Sequence, residues 1–190
     1  RQFKALGVNG TSQTYSLGLS QPLLEETALS LEVRAGFDFK ESRTKQLSST
    51  VRRERLRVLR FGSRAQVRDR WGGWSVNQES SFGIKGLGAT SENNPVASRS
   101  GSRPDFFKTE LQLTRLQRLP WGTQGSVSLG TQLASSKLSP QEEMYVGGAD
   151  SVRGYPEGDY LADSGLIARV EYLIPCAFLP AQWRLPGAKG

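Results

Sequence analysis

Residues 147–165, GGADSVRGYPEGDYLADSG, set five glycines and four acidic side chains around a single arginine, Arg153. A guanidinium stays charged at any physiological pH and presents a planar fork of N–H donors that suits a carboxylate. It can hold a loop in place, but it does not shuttle protons. The rest of the chain points the same way, because there is no histidine and one cysteine, Cys176. The commonest general base and metal ligand are absent, and neither an internal disulfide nor a Cys-based zinc site can form. The expectation is a protein that is not an enzyme, with no catalytic residues, no metal and no cofactor. Its chemistry would be ion pairing by a specific loop, and the elements that position this loop decide what it pairs with.

Those elements have a period of two. From Thr27 to Lys40, Leu29, Leu31, Val33, Ala35, Phe37 and Phe39 occupy one parity, while Ser30, Glu32, Arg34, Gly36, Asp38 and Lys40 occupy the other. This is a strand with one apolar and one wet face, longer than the ~5 to 6 residues usual in soluble sheets and sufficient for the ~9 to 11 that cross a bilayer when tilted. The pattern recurs at about 13–21, 55–69, 74–88, 105–118, 122–136 and 165–174, with a phase slip near Arg115 that suggests a bulge. No long helix is expected.

The connections sort themselves. PLLEE, WGG and LPWG read as tight turns; ESRTKQLSST, ATSENNPVASRSGSRPD and residues 137–164 read as long polar loops, and the two kinds alternate. In a meander this places all tight turns at one end and all long loops at the other, the asymmetry of outer-membrane barrels. Trp71, Trp74 and Trp121 cluster at the tight-turn end, where an aromatic girdle belongs. The fold class expected is all-β, an antiparallel up-and-down meander forming part of a transmembrane outer-membrane β-barrel. A mean hydropathy of −0.46 does not oppose this, since lumen-facing residues dilute lipid-facing ones.

The net charge of +7 leaves nucleic acid, an anionic surface or a polar lumen open as partners for the excess arginine. The richest basic run, VRRERLRVLR at Val51 to Arg60, leads into an alternating strand and has no interleaved aromatics for base stacking. It reads as a solvated loop end, and no nucleic acid is expected. Cys176, after Pro175, reads as inert. The chain starts without methionine or a signal-like core and stops just after a turn, and so reads as a fragment.

On these residues the chain resembles the two-partner secretion transporters of the hemolysin-activator type, within the superfamily of polypeptide-transporting barrels that includes the BamA insertase. Val152, Arg153, Gly154 and Tyr155 match the family's VRGY tetrad, with Gly147 and Gly148 upstream and Asp163 and Gly165 downstream at familiar positions. The resemblance implies a sixteen-stranded, monomeric barrel in the outer membrane of a Gram-negative bacterium, preceded by periplasmic POTRA domains. It implies a loop over 137–164 folded into the lumen, and a lipid-embedded pore that secretes and activates a large unfolded exoprotein. The family's F-x-D-x-G element would fall beyond Gly190. Tyr155 favours secretion over the insertase branch, where phenylalanine commonly closes the tetrad; a soluble basic binding module is the remaining alternative.

An arginine held in a confined lumen needs a carboxylate, because an unpaired buried charge costs about 3 to 5 kcal/mol. Glu171 has lumen parity on the strand that follows, so Arg153 is expected to meet Glu171, joined by an aspartate of the next strand. Gly154 would let the backbone turn beside Arg153, and Tyr155 would pack the loop tip against the wall.

Overall fold

Alternating side chains leave a strand one choice of faces, and the strands of this chain make the same choice side by side. The computed structural model describes residues 8–46, 49–92, 94–149 and 151–175. The strands are β1 (Val8–Glu25), β2 (Leu29–Gln46), β3 (Ser49–Asp69), β4 (Gly72–Gly83), β5 (Phe107–Arg118), β6 (Gln124–Ala134), β7 (Met144–Val146), β8 (Tyr160–Ala162) and β9 (Gly165–Leu173). Seven form one antiparallel sheet in the order β1-β2-β3-β4-β5-β6-β9, while β7 and β8 make a separate small hairpin inside the last long connection.

Register puts the apolar parity of every strand on one side. Leu17 faces Phe37, Phe37 faces Leu59, Phe82 faces Phe107, and Leu129 faces Ala168. This outer face stays bare: Leu17, Leu19 and Val170 are each about three-quarters exposed. A water-soluble sheet would have covered it. On β2 the apolar parity runs from Leu29 to Phe39, roughly ten steps of ~3.3 Å, which at a tilt near 40° spans about 25 Å, the height of a barrel's lipid-facing band.

The opposite face is polar and carries the loops. Two long connections, 84–106 and 135–164, fold back onto it, and their meeting point is the small core of Leu56, Val58, Phe106 and Leu138. Leu56 and Val58 are on the wet parity of β3, just above Arg60. That parity turns apolar where loops cover it.

Several sequence-derived boundaries shift. Residues 41–50 are not a long loop: β2 continues through Gln46 and β3 begins at Ser49, with Glu41 opposite Arg55 and Arg43 opposite Arg53. A two-stranded ribbon satisfies its own backbone, so polar side chains there report water on the ribbon rather than a break in pairing. The run Val51 to Arg60 is therefore strand, not loop end. PLLEE is not the first turn either, since β1 continues to Glu25 and accommodates Pro22 beside a register shift between Pro22 and Leu24. β4 stops at Gly83, short of 88, because the chain beyond it pairs with the free edge of β3: Ile84 N–H donates to Arg57 O at 2.8 Å and Thr90 N–H to Arg55 O at 2.9 Å.

No bulge interrupts β5. Its register is continuous, so Arg115 stays on the outer face opposite Trp74. Its guanidinium sits 5.2 Å from the Trp74 ring and donates to both carboxylate oxygens of Asp69, at 2.6 and 3.2 Å. A long side chain at the tight-turn end reaches the interface from an apolar-facing position, so no change of phase is needed. Trp71 and Trp121 are exposed beside it.

Candidate functional site

The connection from β6 to β9 lies on the polar face and is fixed at two places of very different character. Its base is pinned by Glu142, whose side chain is 1% exposed. Lys40 Nζ on β2 approaches Oε1 at 2.7 Å, Arg60 Nη2 on β3 donates to the two oxygens at 2.9 and 3.1 Å, and Lys108 Nζ on β5 lies 3.0 Å from Oε2. The main-chain oxygen of Glu142 accepts from Lys108 Nζ at 3.1 Å and from Gln132 Nε2 on β6 at 3.2 Å. One loop residue thus ties together four strands of the wall. Arg60 is held in turn by Asp38 at 2.7 Å, Glu79 at 2.9 Å and Ser81 Oγ at 2.8 Å. Burial alone would raise the Glu142 carboxyl, but Lys108, Arg60 and Lys40 outweigh it and hold the group below the ordinary carboxylate range.

The second part of the base joins the two long loops. Arg99 donates to Asp163 Oδ1 at 2.6 Å and Oδ2 at 3.1 Å, to the Glu143 carboxylate, and to Leu138 O at 3.2 Å. Asp163 also accepts the Leu138 N–H at 2.9 Å. Its carboxyl, pushed up by burial, is brought below its ordinary range by Arg99 and that amide. So Asp163 cross-links loop to loop immediately before β9. Gly165 opens β9 opposite Gln132, where a Cβ would stand 3.0 Å from Met144 Sδ.

Beyond the base, β7 and β8 carry a tip, and there the tetrad sits. Gly147 and Gly148 both have positive φ, 118° and 93°, and a Cβ on Gly147 would lie 2.1 Å from Pro156 O. Only glycine fits this crossing. The Ser151 hydroxyl closes the turn, donating to Gly147 O at 2.6 Å and accepting from Gly147 N–H at 2.7 Å. Gly154 has φ 97°, which turns the chain directly after Arg153. Val152 is partly exposed.

Arg153 Nη2 pairs with Glu171 Oε1 on β9, and Ser126 Oγ on β6 steadies the other carboxylate oxygen at 3.4 Å. The pair is open to solvent, with side-chain exposures of 67% and 35%. Arg169 shares Glu171 at 3.8 Å. Tyr155, expected to pack the tip against the wall, has an aromatic neighbour on the hairpin. Its ring meets that of Tyr160 on β8 edge-on, centroids 6.1 Å apart, so the aromatic contact of the tip is with the hairpin. The partner aspartate expected from a following strand, and Cys176, lie outside the described residues.

Between the hairpin and the wall is a cavity of about 520 Å³, lined by Gln112, Thr114, Ser128, Tyr145, Glu157 and Arg169 among others. Its lining mixes hydroxyls, amides and charged groups with apolar side chains such as Leu129 and Ile167, and no metal-binding cluster occurs among the described residues. The arrangement can keep a wet passage occupied by a loop whose base is fixed and whose tip is only lightly held.

Sequence reasoning brought together Arg153 and Glu171 but passed over Glu142, Lys108 and Arg99. Strand parity marked Lys40 and Arg60 as inward, though nothing in their spacing gave their common partner.

A bare apolar face, a polar face and a loop folded onto the latter define a segment of a transmembrane β-barrel. Over residues 1–186 the sequence matches the haemolysin secretion/activation protein family ShlB/FhaC/HecB, and the chain belongs to that family. Its members are outer-membrane transporters of Gram-negative bacteria, which places the sheet in that membrane. Among solved structures the chain is similar to CdiB from Escherichia coli, with a TM-score of 0.75 and 20% identity over 87% of this chain and 31% of that one. It is also similar to CdiB from Acinetobacter baumannii, with a TM-score of 0.65 and 19% identity over 88% of this chain and 30% of that one. The chain thus spans under a third of either structure. No curated protein sequence matches it.

Proposed function

We propose that this chain forms part of the translocation pore of a two-partner secretion transporter, which passes an unfolded exoprotein through the barrel lumen and activates it by export. The observation that carries this reading is the loop over 137–164: it occupies the polar face, fixed at its base by Glu142 and at its tip by the solvent-open Arg153–Glu171 pair. A plug that must yield to a polypeptide needs a firm hinge and a weak latch. The buried base fits the hinge, since removing one partner of a buried pair costs about 3 to 5 kcal/mol. The exposed tip fits the latch, since such pairs contribute only about 0 to 1 kcal/mol. Family membership favours secretion over the insertase branch and over a soluble binding module.

In this proposal the complete barrel has sixteen strands and acts as a monomer. No enzymatic step is involved; the path works by being wet and weakly interacting. The test is Arg153→Ala in the intact transporter: barrel assembly should persist while export of the partner falls strongly, because the pair sets where the tip rests rather than how stable the loop is. Wild-type secretion in that variant would remove Arg153 from the mechanism.

A further inference from the structure

The basic run that continues β3 above the apolar band faces outward. Arg53 and Arg55 share the parity of Leu59 and Phe61, and on β2 Arg43 and Lys45 share that of Phe37 and Phe39. The change from apolar to basic occurs within one residue pair: Phe39 is opposite Arg57, whose guanidinium lies 5.0 Å from the Phe39 ring, and the next outward pair is Glu41 with Arg55. Five cations, Arg43, Lys45, Arg53, Arg55 and Arg57, accompany one carboxylate, Glu41.

That carboxylate acts as a splint. Arg53 Nη2 and Arg55 Nε approach Glu41 Oε1 at 3.1 and 3.2 Å and Arg43 Nη2 at 3.7 Å, while all three arginines keep 35–39% of their side chains exposed. One acceptor cannot satisfy so many N–H donors, and the remainder are held side by side facing away from the barrel. Beside them a shallow depression on β1 and β2 is lined by Asn9, Thr11, Gln13, Glu41, Arg43 and Lys45, a set of amides and a hydroxyl next to cations. At the same end of the sheet the outer faces of β4, β5, β6 and β9 finish on Phe82, Phe107, Leu133 and Leu166. On the outer face at this end the cluster of cations lies on the β2–β3 ribbon.

This is the long-loop end, opposite the short turns and tryptophans, and therefore the cell-surface side of an outer-membrane barrel. The leaflet there is made of phosphorylated glycolipid. We infer that Arg43, Arg53 and Arg55, with Lys45, form a binding site on the outer wall for the phosphate groups of lipopolysaccharide, seated where lipid A meets its sugars; Arg57 is taken up by the main-chain oxygens of Leu87, Lys40 and Leu56 and marks the lower edge of the site. Guanidiniums bind phosphate bidentately, and the depression supplies polar groups for the adjoining sugar. The acyl chains would lie on Phe39 and Phe61 below. A solvated ribbon would disperse its charges and would not aim them over the last aromatic of the band. The inference rests on the outer-membrane placement and not on the transport reading.

The test uses the intact transporter carrying Arg43→Gln, Arg53→Gln and Arg55→Gln together, with Arg34→Gln on the inner wall as the comparison. Lipopolysaccharide retained through detergent purification should fall about tenfold in the triple variant and stay at the wild-type level in Arg34→Gln. Equal retention in the triple variant and the wild type overturns the inference. Should the triple variant fail to show the heat-modifiable gel migration of a folded barrel, the wild-type protein decides alone: it should bind vesicles containing bisphosphorylated lipid A about tenfold better than vesicles with dephosphorylated lipid A, and no preference overturns the site. If the triple variant keeps its lipopolysaccharide but loses exported partner, the ribbon binds polypeptide and the inference fails. Gel migration and membrane fractionation of the same samples report separately on the barrel placement.

Discussion

Glu142→Gln separates hinge from latch. The substitution keeps the shape of the side chain and the main-chain oxygen that accepts from Lys108 and Gln132, but removes a charge that faces Lys40, Arg60 and Lys108 at 2.7 to 3.0 Å. Arg60 keeps Asp38 and Glu79, and Lys108 keeps Glu110 at 3.4 Å. Lys40 has no other ion pair among the described residues. The loss therefore falls at the lower end of the range for breaking a buried pair, about 3 kcal/mol. At 1.36 kcal/mol per factor of ten, that is roughly a hundredfold rise in the population with the loop base released. Amide hydrogen exchange of the intact transporter reads this directly, because opening of a loop exposes its hydrogen-bonded amides. The amides of Leu138 and Glu142, which donate to Asp163 Oδ1 at 2.9 Å and Ser139 O at 2.8 Å, should exchange about a hundredfold faster in Glu142→Gln. Arg153→Ala removes a pair that is two-thirds exposed on the arginine side and should change the same amides less than about fivefold. Unchanged exchange in Glu142→Gln, or faster exchange in Arg153→Ala than in Glu142→Gln, would refute the division of labour.

Other consequences are as direct. Glu142 and Asp163 both have depressed carboxyl pKa values, so each stabilises the folded loop above the ordinary carboxylate range and loses that contribution as pH falls through its lowered value. Loop protection should hold from pH 7 to about 5 and decline below about 4; loss beginning near pH 6 would contradict the assignment. Gly147→Ala forces a Cβ to within 2.1 Å of Pro156 O at φ 118°, and should displace the β7–β8 hairpin at a cost of about 1 to 3 kcal/mol or more, seen as protease cleavage between 147 and 159. Arg99→Ala unlinks the two long loops and should raise cleavage in both 84–106 and 137–164, whereas a purely local role would affect only the first.

The strands could be read from the sequence because a bilayer on one side and water on the other impose strict alternation, as from Leu29 to Phe39. Above the band that constraint ends. Glu41 to Gln46 and Arg52 to Arg57 alternate nothing apolar on their outer face, so their polarity looked like a loop although the backbone stays paired. Arg153 and Glu171 were legible together because parity fixes the direction of Glu171 and the tetrad singles out Arg153. Glu142 was not, since a loop without period gives no direction to a side chain, and only the fold brings Lys40, Arg60 and Lys108, residues on three strands, around one point. The Tyr155–Tyr160 contact was not legible for a related reason: three-residue strands such as β7 and β8 leave almost no pattern, and it is their hairpin that supplies Tyr160.

The path of the polypeptide itself is open to one decisive measurement, photo-crosslinking from adjacent residues of β5 in the intact transporter during export. Gln112 lines the cavity behind the loop, while its neighbour Leu113 lies in register with Val76 on the bare outer face. A photoreactive residue at 112 should capture the exoprotein in transit and one at 113 should capture lipid alone. Capture of the exoprotein from 113, or from neither position while export proceeds, would contradict transport through this lumen.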